Sequence, residues 1–225
     1  MRCDDHCVTT ALAKLERQLQ DVDNLIERHP SRSGPPEDRP TRRPLGEHGP
    51  LLRSCVLLTY AAWEVYAEDS VVAAVKTLVT DGSLEHLPTA LRDFVAQDAD
   101  PWSFAGDGWR QVVLDRVILR VRGDETSTSA GTFGINSAGP GQLIKLHEEI
   151  FGDRPLNRCS WAGRSTKRVK EHLALLVEVR GSIAHTGTTP GNLNLDGTEA
   201  WRGFIWRLGE RLDAEIDAIV ESCLS

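Results

Sequence analysis

The sequence predicts an all-α protein, an antiparallel helical bundle with long loops. Three observations carry that reading. Apolar residues recur at helical spacing in long runs, as in Val8, Leu12, Leu15, Leu19, Val22 and Ile26. Helix formers outnumber β-branched residues. Proline and glycine gather between the periodic runs rather than inside them.

With 225 residues, the chain is long enough for one domain, or one with an appendage, and for a real core. The expected organisation is an N-terminal helix over 1–28, a Pro/Arg-rich linker over 29–50 and a helical domain over 51–225. No apolar run reaches membrane-spanning length, and Met1-Arg2-Cys3-Asp4-Asp5 lacks the apolar core of a signal peptide, so no membrane partner is expected. Five cysteines, an odd number widely spread, point to reduced thiols and a cytoplasmic location. A net charge of -7 argues against a broad nucleic-acid-binding surface; any such site needs locally concentrated positive charge.

The first helix is expected from Asp5 to about Arg28. Cys3, His6 and Cys7 cluster at its start with ligand-like spacing, but no second pair completes a tetrahedral set, so a helix start with incidental thiols is the better reading. No metal or other cofactor is expected. From His29 to Pro50, prolines and glycines forbid regular structure, and Arg39, Arg42 and Arg43 make the segment basic.

A long helix over Leu51–Val79 follows, with Leu52, Val56, Tyr60, Trp63, Ala67, Val71, Ala74 and Leu78 on one stripe. Leu57, Leu58, Ala61, Ala62, Val65, Val72 and Val75 make it apolar nearly all round, as expected of a helix buried on several sides. Glu64 is an acid on this apolar cylinder.

Leu87 to about Gln97 reads as a short helix opened by Pro88. Asp107 is placed to cap a helix from about Trp109 to Arg122, and Gly123–Gly139 is a polar loop. Pro140 to Phe151 is a helix stopped by Gly152, with His147 beside Glu148 and Glu149 on an exposed charged face. The run from Asp153 to Lys170 concentrates Arg154, Arg158, Arg164, Lys167, Arg168 and Lys170 against Asp153 alone. On an acidic chain it is the leading candidate for a phosphate-contacting patch, with a solvated helix start the competing reading. Asp196 and Glu199 suit the cap of a last helix bearing Trp201, Phe204, Ile205, Leu208, Leu212, Ile216, Ile219 and Val220.

The most informative stretch is Arg180-Gly181-Ser182-Ile183-Ala184-His185. Leu173, Leu176, Arg180 and Ile183 fall on one helical stripe, so a permanent cation occupies a core-like position. Burying it unpaired would be costly. It requires an acidic partner, a cleft or a second subunit, and Glu64 is the natural partner. His185 follows about 140° around the same helix, so both side chains can reach one cavity. A histidine of near-neutral pKa can move a proton, and an arginine can stabilise charge building on phosphoryl oxygens. Arg-x4-His alone is a short pattern with a high false-positive rate.

Three ordered segments extend the pattern: Tyr60-Ala61-Ala62-Trp63-Glu64-Val65-Tyr66, then Gly139-Pro140-Gly141-Gln142-Leu143-Ile144-Lys145-Leu146 through Phe151-Gly152, then Val179-Arg180-Gly181-Ser182-Ile183-Ala184-His185. From about Leu51 onward the chain resembles the HEPN superfamily, and more narrowly its RiboL-PSP-HEPN type. It departs from that family at Gly181, where a polar residue usually follows the arginine. The resemblance implies a HEPN-like bundle and a metal-independent endoribonuclease acting on single-stranded or loop RNA, tRNA included, by 2′-OH attack. Arg180, His185 and Glu64 would then be the catalytic residues, and Arg158, Arg164, Lys167, Arg168 and Lys170 the RNA contacts. It further implies a homodimer with a composite site and a role as a toxin or anti-phage effector, with an antitoxin or other regulatory protein as partner. The alternative is a non-catalytic HEPN module binding RNA, a nucleotide or a protein.

Overall fold

Pro50 near the start of an apolar run and Gly82 just past its end delimit the longest helix. Proline is tolerated in a first turn because its missing N–H would have no intrahelical partner there. The structure, a computed structural model, describes residues 7–30, 32, 48–97, 106–123, 134–135, 137–188 and 193–225. Among these residues the chain forms α1 (Cys7–Glu27), α2 (Gly49–Asp81), α3 (Thr89–Ala96), α4 (Gly108–Arg122), α5 (Pro140–Phe151), α6 (Thr166–Thr186) and α7 (Leu195–Leu224), with 3₁₀ turns at Leu84–His86 and Pro155–Asn157 and no strand. The fold is an all-α helical bundle.

The axis of the bundle is α2. Every residue of its expected stripe, from Leu52 to Leu78, is buried. The helix is not covered on all sides: Leu57 and Val65 are half-buried, and Leu58 and Ala61 are exposed. Against the stripe lies α1, through Leu15, Leu19 and Val22, all fully buried. It runs antiparallel to α2, with Lys14 bonded to Asp69 and His29 edge-on to His48. Antiparallel to α2 on another side runs α4, where Arg122 reaches Asp69 and Arg110 reaches the carbonyls of Thr80 and Gly82. Its buried face is Trp109, Val113, Val117 and Val121, a strict four-residue repeat.

The α2–α7 pair runs parallel. Tyr66 donates to the Gly209 carbonyl, and further along both helices Gly82 lies against Leu224. Antiparallel to α1, α7 is tied by Arg202 gripping Asp23 through two bonds, at 2.8 and 2.6 Å. Among the described residues α2 therefore makes its widest contacts with α1 and α7, and α6 meets it over a smaller area.

The caps differ from the sequence reading in two places. Asn194, not Asp196 or Glu199, caps α7, its side chain accepting from the Gly197 amide at 2.7 Å. Asp107 makes no capping bond to α4 and pairs instead with Arg110 at 3.7 Å. Ser165 opens α6, so that helix starts earlier than the apolar run suggests. Gly152 ends α5 at φ +67°, a left-handed conformation in which a Cβ is strained. Most of the 29–50 segment, with Arg39, Arg42 and Arg43, lies outside the described residues, as do Cys3 and His6.

Candidate functional site

The three separated motifs meet in space. On α2, Tyr60, Trp63 and Glu64 lie within about one helical turn, with Tyr60 and Glu64 at the i, i+4 spacing that puts side chains on one face. Trp63 donates its indole N–H to the Ala138 carbonyl at 2.8 Å. The Ala138 amide donates to the Tyr60 hydroxyl at 3.2 Å, and that hydroxyl also lies 3.0 Å from Ser137 Oγ. The first motif thus clamps the two residues before the Gly139-Pro140 start of α5. From the other side comes α6, its Val177 lying against Gly139.

Arg180 completes the cluster. Its guanidinium is 3.8 Å from the Glu64 carboxylate and 5.2 Å from the centroid of the Tyr60 ring. Leu173, Leu176 and Ile183 on the same stripe are buried. The Arg180 side chain is 43 % exposed, so one side of it is held by Glu64 and the Tyr60 ring while another is open to solvent. The charged residue on the core stripe is therefore explained within one chain: it sits where the α2–α6 packing opens, with the acid the pattern required. Burial pushes the Glu64 carboxyl up from its ordinary range, opposed by the Tyr60 hydroxyl, the Arg180 charge and the Ala138 amide. Burial likewise pushes the Tyr60 phenol up.

His185 lies in the last turn of α6 and is exposed. The helix runs unbroken through Gly181 to Thr186, where Gly187 closes it at φ +63°. Thr186 Oγ1 bonds the Ser182 carbonyl at 2.7 Å and meets Thr188 Oγ1 at 2.6 Å, ordering the exit from the helix. Among the described residues nothing lies within 4 Å of a Cβ built on Gly181, so a side chain beside Arg180 has room.

The basic run of 153–170 is distributed differently from its appearance in sequence. Arg158 is bidentate to Asp153, at 2.7 and 3.0 Å, and bonds Glu215 of α7 at 2.5 Å. Arg164 lies over the rings of Phe204 and Trp161, at 5.1 and 5.9 Å. Lys167 pairs with Glu171 at 3.8 Å, and Lys170 donates to Asn157. Arg168 is exposed. Of the acids that balance the run, Glu148 (on Arg154) and Glu171 flank it in sequence and Glu215 comes from α7, so a count over 153–170 could not include them.

Two histidines are taken up by packing, and one of them, His147, stands elsewhere than expected. His147 is fully buried rather than on a charged face; its ring stacks on Phe151, and neither nitrogen has a hydrogen-bond partner. Burial pushes its pKa down to about 4. His172 stacks on Trp201 with centroids 4.0 Å apart and meets Phe204 edge-on, and burial pushes it to about 4 as well. At spacings of three and four residues, Leu143, Leu146, His147 and Ile150 share one face of α5, a pattern that pointed to the buried position of His147.

Tyr60 is the site residue that sequence reasoning placed on the core stripe and in the first motif but gave no role. Its position four residues before Glu64 was the available signal. Ser137 and Ala138 had no signal beyond lying directly before a helix start.

Among the described residues, no group of three or more His, Cys, Asp or Glu side chains is placed to hold a metal ion, and no helix is long and apolar enough to cross a membrane. Comparison with known proteins returned no match to this chain among family models, curated proteins or solved structures.

Proposed function

We propose that this protein is a metal-independent endoribonuclease of the HEPN type, cutting single-stranded or loop RNA, with tRNA among its candidate substrates. One observation carries the reading. Arg180 is held by Glu64 and Tyr60 yet keeps an open side, and an exposed His185 follows on the same unbroken helix. In this reading His185 moves the proton of the attacking 2′-OH or of the leaving 5′-oxygen. Arg180 stabilises the charge on the non-bridging phosphoryl oxygens. Glu64 orients Arg180 rather than touching the substrate. Arg164, Lys167, Arg168 and Lys170 lead into the same helix and would guide the RNA backbone, with Arg158 engaged by its two acids.

In-line cleavage needs a base on one side of phosphorus and an acid on the other. One chain offers a single exposed histidine in the motif, so the working form is a homodimer in which two Arg180–His185 segments face one cleft. A role as a toxin or defence effector in the cytoplasm, restrained by an antitoxin or other regulatory protein, fits such an activity.

The test is incubation of purified protein with total RNA in excess chelator. The expected result is cleavage leaving 2′,3′-cyclic phosphate ends, reduced about 10²–10⁴-fold by His185→Ala. Activity abolished by chelator and restored by a divalent ion would refute the mechanism. A second reading, a non-catalytic HEPN module that binds RNA, a nucleotide or a protein, is favoured by the internal pairing of Arg158. Intact RNA from a folded, dimeric protein would select it.

A further inference from the structure

We propose that a cleft formed by α1, α2 and α4, away from Arg180, is a binding site for phosphate groups. Its volume is about 250 Å³, and four cations converge on it from three helices. Lys14 and Arg17 come from α1, Lys76 from α2, and Arg122 from the last turn of α4. Val72 and Ala73 supply apolar lining. One carboxylate, Asp69, also faces the cleft.

The charge balance is what singles this place out. The whole chain carries -7, yet four cations meet one lining acid here, with Glu68 close enough to feel both Arg122 and Lys14. Asp69 is already engaged through both oxygens, with Lys14 at 2.6 Å and Arg122 at 2.8 Å. That double bridge fixes two cationic heads, and preorganised donors lose less freedom when a ligand arrives. Among the described residues, Arg17 and Lys76 have no ion-pair partner, and both are exposed. Each retains its full donor capacity. An incoming anion would meet these two heads directly and the outward N–H groups of Lys14 and Arg122 behind them.

The ligand class follows from the donors. A planar guanidinium offers a fork that matches two oxygens of one phosphate, and ammonium groups act as point charges beside it. A single carboxylate would satisfy one fork and leave the rest, whereas a diphosphate or two adjacent phosphodiesters would occupy several donors at once. The shared chemistry is the phosphoryl group. Its source is either a small phosphorylated molecule or the backbone of a nucleic acid, and the experiment separates them. This inference does not depend on ribonuclease activity.

The test is isothermal titration of the full chain at fixed ionic strength with two probes. One is inorganic pyrophosphate, and the other is an oligodeoxyuridylate with a 5′-hydroxyl, which has no 2′-OH and cannot be cut by the proposed reaction. Saturable binding is expected, weakened at least about tenfold by Arg17→Glu and separately by Lys76→Glu. Lys145→Glu on α5, an exposed position outside the cleft, makes the same charge change and should leave the affinity within about twofold. Pyrophosphate binding alone with this pattern identifies a small phosphorylated ligand. Oligonucleotide binding with this pattern identifies a nucleic-acid backbone. Absence of saturable binding to either probe, or an equal loss in Lys145→Glu, would overturn the proposal. Circular dichroism of each variant checks the fold, and two independent surface substitutions keep the test decisive if one fails to fold.

Discussion

Arg180 on α6 reaches Glu64 on α2 at 3.8 Å while its guanidinium lies 5.2 Å from the ring centre of Tyr60, one helical turn before Glu64. Two side chains of one helix thus hold one side chain of another. The pair is partly exposed, at 43 % for Arg180 and 26 % for Glu64, so solvent screens it and its contribution to stability is small. Glu64→Gln should change unfolding free energy by less than about 1 kcal/mol. If Glu64 orients Arg180 for catalysis, the same substitution should lower RNA cleavage by about tenfold or more. A large fall in melting temperature with unchanged cleavage per folded molecule would assign Glu64 a structural role alone.

Asp213 is nearly buried on α7 and accepts from the Tyr66 hydroxyl at 3.1 Å. Burial, reinforced by nearby Asp217, pushes its pKa from 3.8 to about 7. The folded state therefore holds a proton that the unfolded chain releases, and this residue's contribution to stability falls as pH rises from about 4 to about 7. Asp213→Asn keeps an acceptor for Tyr66 and removes the buried charge. It should stabilise the protein at pH 8 by roughly 1–3 kcal/mol and leave it little changed at pH 4. Urea unfolding at both pH values reads this, and equal effects at both would count against it.

His147 has the opposite sign. Its folded pKa of about 4 lies below the ordinary 6.5, so the unfolded chain binds the proton first and stability is lost as pH falls through that interval. His147→Leu removes two unpaired buried nitrogens from a fully buried site. It should raise stability at pH 5 by about 1–3 kcal/mol and flatten the acid limb. His172, also at about 4, leaves part of that limb in place. A destabilised His147→Leu at pH 5 would mean that the imidazole has partners, such as buried water, worth more than its burial costs.

Two helical glycines should respond in opposite directions to alanine. Among the described residues Gly181 has nothing within 4 Å of a built Cβ, so Gly181→Ala should gain up to about 1 kcal/mol from helix propensity. At Gly209 a Cβ would stand 2.5 Å from Leu15 Cδ2, and Leu15 is fully buried where α1 and α7 meet. Gly209→Ala should cost about 1–3 kcal/mol through overpacking. Thermal unfolding of the two variants gives the comparison. Gly181→Asn tests separately whether a polar side chain beside Arg180 raises cleavage.

The proposed shared dimeric site is tested by subunit exchange. Wild-type protein mixed with His185→Ala should lose activity as the square of the wild-type fraction, because each productive cleft needs both histidines. A linear fall, or full activity from a species that sediments as a monomer, would remove the composite site.

Much of this molecule was legible in its sequence. The stripes of α1, α2 and α7 depend on residues three and four apart, and local helical geometry decides which of them share a face. The bounds of α5 follow from Pro140 and Gly152, whose backbone preferences act within a turn. The Arg180–Glu64 pairing could also be anticipated, because a permanent charge on an apolar stripe needs a partner and Glu64 stood among apolar residues of the long helix. Neighbours contributed by distant segments were not legible. His147 is a different case: it looked exposed beside two glutamates, although its spacing from Leu143 and Ile150 put it on the buried face of α5. The basic run looked opposed by Asp153 alone because Glu215 lies 57 residues after Arg158 and arrives only when α7 closes on the 3₁₀ turn before it. The cleft of Lys14, Arg17, Lys76 and Arg122 joins residues from three helices that no local pattern connects. Periodicity along one helix fixes which residues share a face, whereas the angle at which helices cross decides which charges meet, and that angle comes from the packing of all of them together.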